Sequence, residues 1–161
     1  MTIWLGVDPG FSGAVAAISN DGIVHMFDMP LVKTRHGTGT RNEVCPHSLR
    51  DELLALKHDH GQIRIAVVEA VTSSPQMGRA SAFRFGEGYG TIVTALACLC
   101  IPVEKVRPQT WKRYMGLDAE KSASLALARA KWPSVECFTL KKHDGRAEAA
   151  LLAEYGRRVG L

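Results

Sequence analysis

The chain has 161 residues, a hydrophobic fraction of 46% and a formal net charge of +4. This length predicts a single domain that spans residues 1–161 and buries its own core, and the composition excludes a disordered chain. No apolar stretch reaches the roughly 18 residues that cross a bilayer, so we expect a cytoplasmic protein with no membrane partner. The positive charge permits a polyanionic partner, and the cysteines lack the spacing of a zinc site.

Three strands are predicted at the start of the chain, over residues 2–8, 14–19 and 23–29. A glycine-rich turn separates the first two strands. Asn20-Asp21-Gly22, which separates the second from the third, is a strong hairpin signal. The pattern therefore predicts three antiparallel strands in succession.

Residues 30–47 are rich in glycine, proline and basic side chains and poor in apolar residues, which predicts a long basic loop. Two interpretations of this loop stay open. It is either a surface insertion without a function or a contact for nucleic-acid phosphates that becomes ordered on binding. Its basic residues are Lys33, Arg35, His36 and Arg41.

Helices and strands alternate in the rest of the chain. The predicted elements are a helix at 48–57 capped by Ser48, a strand at 63–69, a helix at 80–99, a strand at 101–107, and helices at 109–115, 119–131 and 144–159. This order predicts an α/β domain with a mixed five-stranded sheet, three strands antiparallel and two parallel, flanked by helices. This order resembles the RNase H-like fold.

Acidic residues stand at the ends of two predicted strands and in the last helix. Asp8 ends the first strand and Glu69 ends the strand at 63–69, so neighbouring strands would place both at one sheet edge. Asp144 and Glu148 are four residues apart and share one helix face. Taken singly, each acid is also explained as a turn residue, a helix cap or a solvated side chain. Together they are the ligands for Mg²⁺ that phosphodiester hydrolysis by two metal ions requires.

With these motifs the chain resembles the RuvC family of Holliday-junction resolvases over nearly its whole length. The motifs stand in the family's order. They are residues 5–10 with the first catalytic Asp, 67–71 with the catalytic Glu, 85–93 of the dimer helix, the basic segments 107–112 and 119–122, and the acidic motif 144–149.

The resemblance implies a homodimer that binds branched DNA, especially four-way junctions, and makes paired symmetric nicks. It implies two Mg²⁺ ions in each active site, for which Mn²⁺ substitutes. The compact length and the long loop at 30–47 resemble phage-type members more than the bacterial enzyme. The implied catalytic and metal-binding residues are Asp8, Glu69, Asp144 and Glu148, and the implied DNA-binding residues are Lys112, Lys121, Arg107 and Arg113.

The acidic motif near the C-terminus departs from the family pattern. Bacterial members space their last two metal-site residues three apart, but Gly145 stands three before Glu148. Asp144 is our choice for the fourth ligand, and His143 is the alternative. The last acid is Glu where the family usually has Asp, and residues 71–79 offer no aromatic side chain to stack in an opened junction.

Two other functions fit part of the pattern. A nuclease of the same fold could act on RNA or on a wider range of branched DNA. Residues 6–10 also resemble the Gly-x-Asp-x-Gly hairpin of actin-like phosphotransferases, which need two such domains around ATP. A panel of cleavage substrates and an ATP-binding assay would separate these functions.

Overall fold

The computed structural model describes residues 1–72, 76–117 and 121–161, without the side chains of residues 121, 122 and 141. The strands in chain order are β1 (Thr2–Val7), β2 (Ala14–Ser19), β3 (Gly22–Asp28), β4 (Leu31–His36), β5 (Gly39–Val44), β6 (Gln62–Glu69) and β7 (Val103–Val106). The helices are α1 (Pro46–His60), α2 (Arg79–Cys98), α3 (Pro108–Tyr114), α4 (Lys121–Lys131) and α5 (Asp144–Arg158).

A mixed sheet with strand order β3-β2-β1-β6-β7 forms the centre of the fold. β1, β2 and β3 run antiparallel to one another, whereas β6 runs parallel to β1 and β7 runs parallel to β6. The predicted fold class is confirmed, with three antiparallel strands, two parallel strands and flanking helices. The centre of this sheet holds the site described below.

Both faces of the sheet are covered because side chains alternate along β1. Ile3, Leu5 and Val7 pack with α1 and α2 in one core. On the opposite face α5 lies against β1 and β2, and α4 packs on α5. Among the described residues, no helix combines the length and the apolar character needed to cross a bilayer.

The long basic loop predicted over residues 30–47 is wrong. β4 and β5 pair as an antiparallel hairpin that forms a second, two-stranded sheet. Gly37 takes a φ of 57° in the hairpin turn, a conformation that glycine adopts without strain. Contacts with α2, chiefly through the buried Val44, hold the hairpin in place. Its own sequence has no alternation of apolar and polar residues, so the sequence pattern does not predict its strands.

The N-terminus of α1 also differs from the prediction. The helix begins at Pro46 with Cys45 as its N-cap, so Ser48 lies inside the first turn and is not the cap. The physical reason is that proline at the first helical position has the helical φ already and needs no N–H partner.

Candidate active site

Asp8 lies at the C-terminal edge of the sheet, where β1 ends and the chain turns towards β2. Its backbone N–H donates to the carbonyl of Ala14 (3.0 Å), and the N–H of Gly10 donates to its Oδ1 (3.4 Å). A Cβ on Gly13 would lie 2.1 Å from the Asp8 carbonyl oxygen, so this turn closes only with glycine there. The turn therefore holds the Asp8 carboxylate in a fixed position.

Glu69 ends β6, the parallel neighbour of β1. The register pairs Val7 with Val68, which brings Glu69 beside Asp8 as the sequence predicts. The fully buried Trp111 of α3 donates from its indole Nε1 to Glu69 Oε2 at 2.9 Å. α3 follows β7, the strand beside β6, and this connection brings Trp111 next to Glu69.

Helix α5 brings Glu148 to the same place because two glycines allow it to lie against β1. A Cβ on Gly6 would lie 1.9 Å from the carbonyl oxygen of Ala149. A Cβ on Gly145 would lie 2.5 Å from the carbonyl oxygen of Ser12 and 3.0 Å from Asp8 Oδ2. The first turn of α5 is therefore in direct contact with the turn that carries Asp8.

Two residues from other helices hold the Glu148 carboxylate. Lys112 Nζ of α3 pairs with Glu148 Oε1 at 2.7 Å, and the two side chains are 20% and 18% exposed. The buried Ser124 of α4 donates from its hydroxyl to the same oxygen at 3.4 Å. Three carboxylates and one ammonium thus form a partly buried cluster, which we call the carboxylate cluster (Asp8, Glu69, Glu148 and Lys112).

The charges of this cluster act on one another. Burial, followed by the negative charges of Glu148 and Glu69, raises the pKa of Asp8 from 3.8 to about 7. Burial also raises the pKa of Glu69, and Glu148 adds to this rise while the Trp111 hydrogen bond opposes it. Lys112 opposes the rise at both carboxyl groups. Carboxyl groups whose pKa values are raised by burial and by one another's charges are typical of catalytic sites.

Two solved structures of RuvC from Thermus thermophilus match nearly the whole chain. The structure of that protein in complex with a Holliday junction substrate has a TM-score of 0.66 and 17% identity, and the match covers 99% of this chain and 97% of the other. A second structure of that RuvC has a TM-score of 0.60 and 14% identity, with 98% and 96% covered. This chain has the RuvC-type fold. No protein-family model matches the chain, and no curated protein matches it.

Within the RuvC-type fold, the structure places the remaining predicted site residues as follows. Asp144 is half-buried in the first turn of α5, on the same helix face as Glu148. His143 is buried, and its Nδ1 accepts a hydrogen bond from the Leu140 N–H at 3.3 Å. Burial lowers the pKa of His143, and so does the charge of Arg146. The charged groups that act on His143 are those of Arg146, Lys142, Asp28 and Arg129, and none of them belongs to the carboxylate cluster.

The predicted DNA-binding cations take different positions. Arg107 and Arg113 are exposed at the two ends of α3. Lys112 is only partly exposed and pairs with Glu148, so its ammonium belongs to the carboxylate cluster. Lys121 begins α4, and its side chain lies outside the described residues.

The carboxylate cluster has the donor chemistry for a hard divalent cation. Among the described residues, no three His, Cys, Asp or Glu side chains stand as a ready-made metal site. Carboxylate oxygens are nevertheless the ligands that Mg²⁺ prefers. The cluster already accepts one cation as a neighbour, since Lys112 pairs with Glu148. Asp8, Glu69 and Glu148 thus offer the oxygen donors that a divalent ion requires, with Lys112 paired to one of the three acids.

Trp111 and Ser124 donate hydrogen bonds to the carboxylate cluster, and the sequence pattern identifies neither of them. Trp111 lies inside a motif that was singled out for its basic residues, and a buried indole N–H needs an acceptor. A tryptophan in a predicted buried position therefore indicates that an acceptor lies nearby, but the sequence does not identify Glu69 as that acceptor. Ser124 gives no such signal because its partner Glu148 lies 24 positions away on another helix.

Replacing Trp111 with Phe is expected to shift the pH of half-maximal activity upwards. The variant leaves the buried Glu69 carboxylate without its donor, so the pKa of Glu69 rises further above its usual range. We expect a loss of roughly 1–3 kcal/mol in the free energy of unfolding. The measurement is a pH–rate profile together with a thermal melt.

The matched control is Trp132→Phe, because Trp132 packs against Phe138 and lies outside the carboxylate cluster. This control should leave the pH profile where it is. An unchanged profile in Trp111→Phe would show that Trp111 does not position Glu69.

Proposed function

We propose that the protein is a structure-selective endodeoxyribonuclease that cuts four-way DNA junctions with paired, symmetric nicks. One observation carries this proposal. β1, β6 and α5 each deliver a carboxylate to one edge of a RuvC-type sheet, where the pKa of Asp8 rises to about 7. The RuvC of Thermus thermophilus, which shares the fold, has been solved with a Holliday junction substrate. Such an enzyme would act in the cytoplasm of a bacterial or phage-infected cell.

The cluster would carry out phosphodiester hydrolysis with a division of roles. Asp8, Glu69 and Glu148 would hold two Mg²⁺ ions, or Mn²⁺ in their place, with Asp144 as the fourth ligand and His143 as the alternative. When bound, these ions would activate water and stabilise the charge on the leaving oxygen. Asp8 is the central ligand in this proposal, since its turn is closely packed at Gly13 and the charges of both Glu148 and Glu69 act on it.

The protein's own residues prepare the site. Trp111 fixes the direction of the Glu69 carboxylate, and Ser124 does the same for Glu148. Lys112 supplies a positive charge beside the acids, where the phosphate to be cut must lie. Asp8 loses its proton above about pH 7, so the fully ionised cluster forms only at neutral to alkaline pH.

Exposed cations beside the site support binding to the DNA backbone. Arg107 and Arg113 point to solvent from α3, the helix that also supplies Trp111 and Lys112. Together with Lys121, they are proposed to contact phosphates, which position the substrate and carry no sequence information. Binding should then weaken steeply as the salt concentration rises.

Helix α2 carries the proposed homodimer contact. Among the described residues, nothing lies within 4 Å of a Cβ built on Gly86 or on Gly90, so folding of the single chain does not need these glycines. Phe83 on the same helix is 66% exposed. An open face with small residues and an exposed aromatic side chain is the kind of surface that a second copy covers. Light scattering at micromolar concentration tests this proposal, and the mass of one chain would contradict it.

A cleavage panel tests the proposed function directly. The labelled substrates are a four-way junction, a Y-fork, a linear duplex and an RNA–DNA hybrid, each incubated with Mg²⁺ and with EDTA. Paired nicks confined to the four-way junction are the expected result. Equal cleavage of the Y-fork would indicate a broader branched-DNA nuclease, and cleavage of the hybrid alone would indicate an RNA nuclease. No cleavage of any substrate, with ATP bound instead, would favour the phosphotransferase class.

A further inference from the structure

The hairpin of β4 and β5 has two unlike faces. The register pairs Lys33 with Asn42 and Arg35 with Thr40, and these four side chains are all exposed. Side chains alternate along each strand, so the four lie on one face, which we call the outer face of the hairpin. The opposite, inner face carries Arg41, which reaches Glu87 of α2. Val44 at the end of β5 lies on the same side of its strand as Asn42 but is buried, so the outer face is exposed over the part of the hairpin nearer its turn.

Charges on the inner face are neutralised within the protein. Arg41 forms an ion pair with Glu43 on the same strand, and its Nη2 lies 3.7 Å from Glu87 Oε2 of α2. Arg41 is only partly exposed. The ion pairs of Arg41 within the protein account for this residue, so no external ligand is needed to explain it.

The outer face carries positive charge that nothing in the described part of the chain neutralises. Lys33 and Arg35 are two positions apart on one strand, and both are exposed. Their cross-strand partners Asn42 and Thr40 are neutral, and no described carboxylate forms an ion pair with either cation. Two like charges on one face repel each other, so this face gains free energy when an anion binds.

Helix α2 fixes the hairpin next to the turn that carries Asp8. Arg84 Nη2 donates to the Asn42 carbonyl at 3.2 Å, and the Arg84 guanidinium carbon lies 5.5 Å from the centre of the Phe11 ring. Phe11 belongs to the turn between β1 and β2. A methyl group of Val44 lies 3.3 Å from the Cβ position of Gly88, which adds a second anchor. The outer face is thus held at a set position beside the site and does not contribute to it.

We propose that Lys33 and Arg35 on the outer face bind the phosphate backbone of a duplex DNA arm of the branched substrate. This inference rests on the proposed function and adds a second binding surface to it, separate from the carboxylate cluster. Phosphate contacts from exposed side chains strengthen binding and stay outside the bond-breaking step. The hairpin thereby selects substrates that extend beyond the branch point.

The double variant Lys33→Gln/Arg35→Gln tests this proposal by its affinity for a fluorescent four-way junction. Both proteins carry Asp8→Asn in the binding assay, so that the DNA stays uncut. Loss of two phosphate contacts should weaken binding about tenfold at moderate salt and reduce the slope of log K against log salt by about 1.8. With Asp8 intact, the single-turnover cleavage rate at saturating enzyme should stay unchanged.

The matched control is Arg50→Gln/Lys57→Gln, which removes the same charge from exposed side chains of α1. Equal weakening by both double variants would reduce the effect to net charge and overturn the proposal. Unchanged affinity of the hairpin variant, or a slower cleavage rate at saturation with an unchanged melting temperature, would also overturn it. Failure of the chain with its native hairpin to bind the junction would instead contradict the proposed function itself.

Discussion

Replacing Asp8 with Asn is expected to reduce junction cleavage by about 10³-fold or more while junction binding persists. The substitution keeps the size of the side chain but removes the charge at the centre of the carboxylate cluster. Its neighbours Glu69 and Glu148 come from other elements and cannot move into its place. The pairing of β6 with β1 fixes Glu69, and the close packing at Gly6 and Gly145 fixes the helix that carries Glu148. The measurement is single-turnover cleavage of a labelled four-way junction, with binding followed by gel shift.

The control for this variant is Asp59→Asn, which removes an exposed carboxylate of α1 whose partner among the described residues is its neighbour His58. This control should cleave the junction at the unaltered rate. Cleavage by Asp8→Asn within a few-fold of that rate would exclude Asp8 as a catalytic residue. Loss of binding together with cleavage would show that Asp8 acts on the fold and not on the reaction.

Saturating Mg²⁺ is expected to raise the melting temperature, and to raise it more above pH 7 than below. A ligand at 100 times its dissociation constant stabilises the folded state by about 2.7 kcal/mol. For a domain of this size that corresponds to roughly 5–10 °C. Below about pH 7 Asp8 is protonated, so a proton competes with the cation. The measurement is a thermal melt with and without Mg²⁺ at two pH values on either side of neutrality.

The sign of the pH effect without divalent ions follows from the raised pKa of Asp8. Asp8 has a pKa of about 7 in the folded protein against a usual 3.8, so the folded state keeps this proton while the unfolded state loses it. The contribution of Asp8 to stability therefore decreases as the pH rises from about 4 to about 7 and stays low above that range.

Asp8→Asn removes this dependence and is expected to be more stable than the native chain above pH 7 in EDTA, by up to about 4 kcal/mol. The same variant should lose most of its melting shift with Mg²⁺. Identical melting curves with and without the ion in the native chain would contradict a divalent site at the cluster.

The sequence predicts those parts of the fold whose signal is local and hydrophobic. β1 and β6 are apolar runs that end in an acid, and both acids lie side by side in the structure. The sequence does not predict the hairpin of β4 and β5, because its strands are not apolar runs. Its strands carry charged and polar side chains on both faces, and contacts with Arg84 and Gly88 of α2 hold it in place. Such contacts exist only once the chain has folded.

The contacts of the candidate site are likewise predicted from the sequence only in part. The pairing of Asp8 with Glu69 follows from strand order, and the approach of Glu148 follows from the small residues of α5. The ion pair of Lys112 with Glu148 depends on how α3 leaves β7, and no spacing in the sequence encodes that angle. The role of Asp144 as the fourth ligand stays a prediction.

The close contact between α5 and Gly6 of β1 also makes completion of the carboxylate cluster depend on the order in which the chain is synthesised. A growing chain contains Asp8 and Glu69 long before it contains Glu148, and α5 can pack on β1 only after β1 and β6 have been synthesised. The last carboxylate thus arrives through a contact between distant parts of the chain, a kind of contact that forms late in folding. A partly made or partly folded molecule therefore holds an incomplete cluster, and the proposed nuclease site exists only when the domain is finished.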